Sequence, residues 1–264
     1  MSDPTTLGSS LGSSRPRDEF RTAPNSVDIW TVPTRTTEPV VEEMKQSLSC
    51  DERERALRFY AEEHQHSFII GRGILRAVLA SYISARPEDL IFNYGPKGKP
   101  YLENHADVHF NLGHSADRAV YAVAGNELGV DIELIKQVKD WQKISERFFS
   151  LRESDELRRL DPNRQMAGLF ACWTRKEAYI KATGKGLAAG LNKFSISADP
   201  SHSEGAVDID EGGQSSHWYF KDLRVGDQYA GAVVTQFAKC QIHAFNFEQT
   251  EDCMRYLEQR KSPS

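Results

Sequence analysis

VHFNLGHSADRAVYAVAGNELGVDIELI, residues 108–135, lies near the middle of the chain and holds three strand-like runs in quick succession. Residues 108–112, 119–124 and 128–135 are short and apolar, and Gly125-Asn126 between the last two reads as a hairpin-like turn. A long helical pattern stands on either side. Over 68–83, Ile69, Ile70, Ile74, Leu75, Val78, Leu79 and Tyr82 recur at helical spacing, and Pro87 closes the stretch. A second helix is predicted over 166–183, ended by Gly184 and Gly186.

Further out the pattern repeats in kind. Residues 27–32 predict a first strand stopped by Pro33, and 51–63 a charged helix with Ala56, Leu57, Phe59 and Tyr60 on its apolar side. Ser150-x-x-Glu153 is a capping box opening another helix that runs to Leu160. Strands are predicted at 194–197, 218–220, 229–237 and 241–247, with a solvated loop over 199–216 and a short closing helix carrying Cys253, Met254 and Leu257. Each half therefore has a long helix and several strands, which predicts an α+β chain of two similar lobes. The boundaries are a flexible tail over 1–26, a first lobe over 27–126 and a second over 127–264, which would carry any metal site.

Composition narrows the function. The 264 residues carry 33 Lys and Arg against 38 Asp and Glu, a net charge of −5 that makes a poor general nucleic-acid binder. No apolar run reaches the 18 or so residues that span a bilayer, and the polar first 26 residues contain no signal-peptide core. Cys50, Cys172, Cys240 and Cys253 form no CxxC pair, so reduced thiols and a cytoplasmic protein are expected.

Two stretches carry chemistry. In GVDIEL, 129–134, strand alternation places Asp131 and Glu133 on one face and Val130, Ile132 and Leu134 on the other. A half-exposed strand with a polar outer face gives the same alternation; paired carboxylates also suit a hard divalent cation such as Mg²⁺. In WTRKEAYIK, 173–181, Trp173, Glu177 and Lys181 stack on one helical face. That face is either a surface Glu–Lys pair or a ligand and base followed by a phosphate contact. Gly184-Lys185-Gly186 lacks P-loop spacing, while Gly95-Pro96-Lys97-Gly98-Lys99-Pro100 is a turn able to present ammonium and N–H groups to an anion. The segment 110–115 would end a strand and leave His114 in the following turn; Ser115 beside it has no GxSxG elbow and makes no triad.

Together GKP at 98–100, FNLGHS at 110–115, GVDIE at 129–133 and WTRKEAYIK at 173–181 resemble the Sfp-type 4′-phosphopantetheinyl transferases of the W/KEA branch. The resemblance runs over about residues 45–197 in the family's order and spacing. It implies two α+β lobes related by a pseudo-two-fold axis, with the site between them, in a cytoplasmic monomer. The implied activity is that of a holo-[acyl-carrier-protein] synthase. Such an enzyme moves phosphopantetheine from coenzyme A, the co-substrate, to a serine of an apo acyl or peptidyl carrier protein and releases adenosine 3′,5′-bisphosphate. Mg²⁺, or Mn²⁺ in its place, would be held by Asp131, Glu133 and Glu177. Asp131, Glu177 and Lys181 would be catalytic, Glu177 as base toward the carrier serine. Arg72, Lys97, Gly98, Lys99, Asn111, Leu112, Gly113 and His114 would bind coenzyme A together with Asp131, Glu177 and Lys181. No nucleic acid or membrane partner is implied.

The chain departs from the family in two places. Gly113 stands where a serine is usual, and 51–55 is more acidic than in some relatives, so no role is carried over from it. Two rivals remain at this level. One is a catalytically silent module binding coenzyme A or a carrier; the other is a metal-dependent phosphohydrolase. The flank over 139–164 has seven Lys or Arg against six Asp or Glu, which selects no carrier among fatty-acid, polyketide and nonribosomal-peptide types.

Overall fold

The computed structural model describes residues 24–186, 190–209 and 217–261. Most of the expected tail and part of the 199–216 loop lie outside these residues. In chain order the elements begin with β1 (Ser26–Pro33), α1 (Glu38–Ser47), α2 (Cys50–Ala56), α3 (Glu62–Ile83), β2 (Phe92–Tyr94) and β3 (Pro100–Leu102). Then come β4 (His109–Ser115), β5 (Arg118–Ala124), β6 (Leu128–Leu134), α4 (Trp141–Phe148), α5 (Leu151–Arg159) and α6 (Gln165–Thr183). β7 (Phe194–Ser195), β8 (Glu204–Ala206), β9 (Asp208–Ile209), β10 (Tyr219–Asp222), β11 (Tyr229–Thr235), β12 (Gln241–Asn246) and α7 (Thr250–Lys261) complete the chain.

Two four-stranded sheets, ordered β12-β1-β5-β4 and β6-β11-β10-β8, form the frame. Strand alternation gives each sheet two apolar faces. Trp30, Val32, Tyr121 and Val123 pack under α3 with Ile70, Ile74 and Leu75, while Val27, Ile29, Val120 and Ala122 meet Val130, Ile132 and Val233 of the other sheet. Ala232, Val234 and Phe220 pack with Cys172, Ala178 and Tyr179 of α6. The layers are helix, sheet, sheet, helix, and β4 and β6 run beside each other where the sheets meet. No helix among the described residues is long and apolar enough to cross a membrane. All four cysteines are free thiols.

The expected lobe boundary needs correction at its far end. β12 pairs in parallel with β1, Ser26 opposite Gln241 and Thr31 opposite Asn246, and Cys253 and Leu257 of α7 are buried in the core under α3. The physical cause is aromatic: Trp30 stacks on Phe245 at 4.4 Å, and Phe247 lies 6.2 Å from it. β12 thus belongs to the first sheet and α7 to the core beneath it, not to a second lobe over 127–264.

Other expectations shift locally. The predicted helix over 51–63 is two helices, because the Gln65 side chain donates to the Ala56 carbonyl (3.1 Å) and ends α2, leaving Leu57 and Tyr60 exposed. The expected loop over 199–216 contains β8 and β9. His114 lies within β4, exposed, and the turn comes after it at Ala116 and Asp117.

Candidate active site

The site begins with a missing side chain. A Cβ built on Gly129 would stand 2.0 Å from the Ala178 carbonyl oxygen and 2.3 Å from the Ala182 nitrogen, so only glycine lets α6 lie this close to β6. The polar face of β6 therefore looks at a helix. Asp131 is buried and Glu133 half-buried, in place of the water-facing strand that alternation alone allows. Gly129→Ala should cost stability near the upper end of the roughly 1–3 kcal/mol typical of overpacking, because backbone cannot rotate away. Urea unfolding checks this; a midpoint equal to that of the parent protein would contradict the close approach.

Across the seam, Lys181 Nζ donates to Asp131 Oδ1 (2.8 Å), the Val130 carbonyl (3.1 Å) and the Leu112 carbonyl (3.2 Å). One ammonium so joins α6, β6 and β4. Glu177, one turn earlier, is half-buried, and burial raises its pKa, with Asp131 and Glu133 adding to the rise against Lys181. Burial also raises Asp131, more than Lys181 lowers it, and Glu133 pushes the same way. The three carboxylates therefore feel one another. Asp131 Oδ2 is buried and accepts no hydrogen bond.

The residues just before Glu177 in α6 make other contacts. Arg175 is buried, forks onto both carboxylate oxygens of Asp222 (2.8 and 2.5 Å) and donates to the Ser197, Asp199 and His202 carbonyls. Lys176, also fully buried, pairs with Glu153 at 2.5 Å. Trp173 packs edge-on to Phe148 at 5.7 Å.

A second group of candidates surrounds the β2–β3 hairpin. Its turn is closed by Gly95 N–H to the Lys99 carbonyl and Gly98 N–H to the Gly95 carbonyl, both 2.9 Å, and Gly98 has φ +83°, a left-handed position that favours glycine. Lys97 is exposed. Lys99 turns inward to Glu127 Oε2 (2.5 Å), the Ala182 carbonyl (2.9 Å) and the Leu128 carbonyl (3.3 Å). His109 first, and then Lys99, hold the Glu127 carboxyl down at about 2. A cavity of about 650 Å³ opens here, lined by Lys97, Lys99, Tyr101, His109, Thr183 and Trp218 among others.

Arg72 and His114 do not line that cavity. Arg72 pairs with Glu52 at 2.8 Å, donates to the Tyr94 hydroxyl at 2.8 Å and lies 4.8 Å over the Phe92 ring. Its Nε is buried without a partner. Asn111 is buried and its Oδ1 accepts from Val130 N–H at 2.9 Å. Leu112 and Gly113 sit on the seam, a Cβ at Gly113 falling 3.1 Å from Asp131 Cα.

Comparison with known proteins settles the relationship. The 4′-phosphopantetheinyl transferase superfamily model matches residues 127–234, and the model of a 4′-phosphopantetheinyl transferase N-terminal region matches 35–126. The 4′-phosphopantetheinyl transferase HetI of Nostoc sp. is 37% identical over 180 residues, covering 67% of this chain and 76% of its own. This chain belongs to the 4′-phosphopantetheinyl transferase superfamily. Similar relatives include Sfp of Bacillus subtilis, 32% identical over 70% of this chain and 81% of its own. Psf-1 of Bacillus pumilus is 33% identical over 75% and 77%. The holo-[acyl-carrier-protein] synthase structure from Thermotoga maritima aligns with TM-score 0.31 and 20% identity over 41% of this chain and 61% of that one.

In this transferase the structure gives contacts to residues for which sequence reasoning found no role. Ser115 donates to Glu133 Oε2 at 2.7 Å, Glu127 fixes Lys99, and Glu52 bridges Arg72 and Arg76. The one signal available beforehand was Ser115's place on the same strand face as Asn111 and Gly113.

Proposed function

We propose that this transferase moves the 4′-phosphopantetheine arm of coenzyme A onto a serine of an apo acyl or peptidyl carrier protein, releasing adenosine 3′,5′-bisphosphate. The observation that carries the reading is the seam: Asp131, Glu133, Glu177 and Lys181 share the β6–α6 interface, and Lys181 reaches β4 as well. One chain supplies every group, so a monomer suffices.

Chemically, the serine Oγ bonds to the phosphorus that carries pantetheine, and the bond from that phosphorus to the bridging oxygen breaks. The bridging oxygen leaves with adenosine 3′,5′-bisphosphate. Glu177 takes the serine proton, and its raised pKa suits it to that task. Lys181 supplies fixed positive charge where charge gathers on the departing phosphate. Its present bond to Asp131 keeps the ammonium in the cleft.

Among the described residues no three His, Cys, Asp or Glu side chains are gathered closely enough to make a ready-formed metal site. The donor set nonetheless fits a hard divalent ion, since Asp131 Oδ2 is a buried anionic oxygen with no hydrogen bond and two further carboxylates stand near. Asp131, Glu133 and Glu177 would hold Mg²⁺ or Mn²⁺. Such an ion would polarise the diphosphate and offset its charge.

The adenine nucleotide end is assigned to the hairpin turn and cavity, with Lys97 as the exposed cation. Lys97→Ala should raise KM for coenzyme A severalfold and flatten its salt dependence with little change in kcat, because one screened charge is lost. Lys99→Ala should instead lower stability as well, since its ammonium holds three oxygens of the protein. Steady-state kinetics at two ionic strengths separate the cases; an unaltered KM for Lys97→Ala would remove the turn from the binding site.

Intact-mass measurement tests the function itself. With coenzyme A and Mg²⁺, at least one apo carrier from a fatty-acid, polyketide and nonribosomal-peptide panel should gain one phosphopantetheine. Coenzyme A binding with every carrier unmodified would favour a silent module, and free phosphopantetheine without carrier a hydrolase.

A further inference from the structure

Three residues on one face of β4, Asn111, Gly113 and Ser115, look toward β6. Asn111 Oδ1 accepts from Val130 N–H at 2.9 Å, and Ser115 Oγ accepts from Leu134 N–H at 3.1 Å. Two amides of β6, four residues apart, are thus capped by side chains of β4, in place of a backbone ladder. Between them a Cβ at Gly113 would come within 3.1 Å of Asp131 Cα and 3.3 Å of Ile132 N, so the two strands close to contact.

The Ser115 hydroxyl has a second duty. Its oxygen accepts the Leu134 N–H, and its single proton is directed to Glu133 Oε2 at 2.7 Å. Since Leu134 N–H can only donate, the hydroxyl proton is free for the carboxylate alone. One Glu133 oxygen is therefore held by β4.

We infer that Ser115 is a positioning residue for the cation: it clamps Glu133 so that this carboxylate enters the seam in one orientation beside Asp131. The inference rests on the proposed ligand role of Glu133. A hydrogen bond to a ligating carboxylate fixes its direction, and loss of such a partner typically weakens metal affinity about 10–100-fold. The hydroxyl that has no place in a hydrolase triad thereby acquires a place in the first lobe's contribution to the site.

The test is Mn²⁺ binding, followed by the electron paramagnetic resonance signal of the free ion, on the full chain with coenzyme A present. Ser115→Ala should weaken Mn²⁺ binding by about tenfold or more. It should raise the Mg²⁺ concentration for half-maximal transfer by a similar factor, with a smaller fall in kcat at saturating Mg²⁺. Ser115→Thr restores the hydroxyl on a residue that suits a strand and should recover most of the affinity. Glu133→Gln is the control for the ligand role. If Glu133→Gln weakens Mn²⁺ binding and Ser115→Ala does not, the positioning role is overturned while the ligand reading stands. If neither variant changes Mn²⁺ binding, the ligand reading of Glu133 fails and the inference with it. A lowered melting temperature with parental Mn²⁺ affinity would reduce Ser115 to a strand cap and likewise overturn the proposal.

Discussion

Glu177→Gln should lose about 10²–10⁴ in kcat even at saturating Mg²⁺, the range expected when a general base is removed. Glutamine keeps the size and one oxygen of the side chain but cannot take a proton. The side chain sits half-buried on α6, one turn from Lys181, where burial and Asp131 both raise its affinity for a proton. A residue that only ligated metal would behave differently, because excess Mg²⁺ would then restore much of the rate. Transfer measured across a Mg²⁺ series separates the two roles. A variant close to full speed at high Mg²⁺ would take Glu177 out of proton transfer.

The second large effect is on stability. Lys176→Met should destabilise the fold by about 3–5 kcal/mol, since it strands a buried carboxylate without its cation. Lys176 and Glu153 are both fully buried, 2.5 Å apart, and Lys176 also donates to the Phe194 carbonyl at 2.8 Å. Glu153 meanwhile accepts from Ser150 N–H (2.7 Å) and Ile196 N–H (2.8 Å), so its charge ties α5 to the segment after α6. Changing Glu153 to Gln in the same chain should recover a large part of the loss, because the uncompensated charge is then gone. Urea unfolding of the single and double variants gives the answer, and a single variant as stable as the parent would contradict the buried pair.

These two neighbours show what local sequence can and cannot tell. Glu177 and Lys181 were legible because a period near 3.6 residues places them on one face whatever the surroundings. Lys176 lies one residue from Glu177, yet its partner Glu153 is 23 positions away, and no local pattern reveals that pairing. Alternation likewise placed Asp131 and Glu133 together without saying what covers their face. Gly129 carried that information, as an isolated glycine in a strand that marks close backbone approach. The Ser150–Glu153 box was readable as a helix start and is formed in full. The return of β12 to β1 was not, because Trp30 and Phe245 meet only in the folded chain. The inward turn of Lys99 toward Glu127 is of the same kind, a contact across 28 positions.

One coupled reaction at the β6–α6 seam decides the function. The most direct measurement follows both products of a single turnover, holo-carrier by intact mass and adenosine 3′,5′-bisphosphate by chromatography, for the parent chain and for Asp131→Ala. The parent should form the two in equal amounts, and Asp131→Ala should form neither while retaining its fold. Release of the nucleotide without modified carrier, or modification at an undiminished rate by Asp131→Ala, would contradict it.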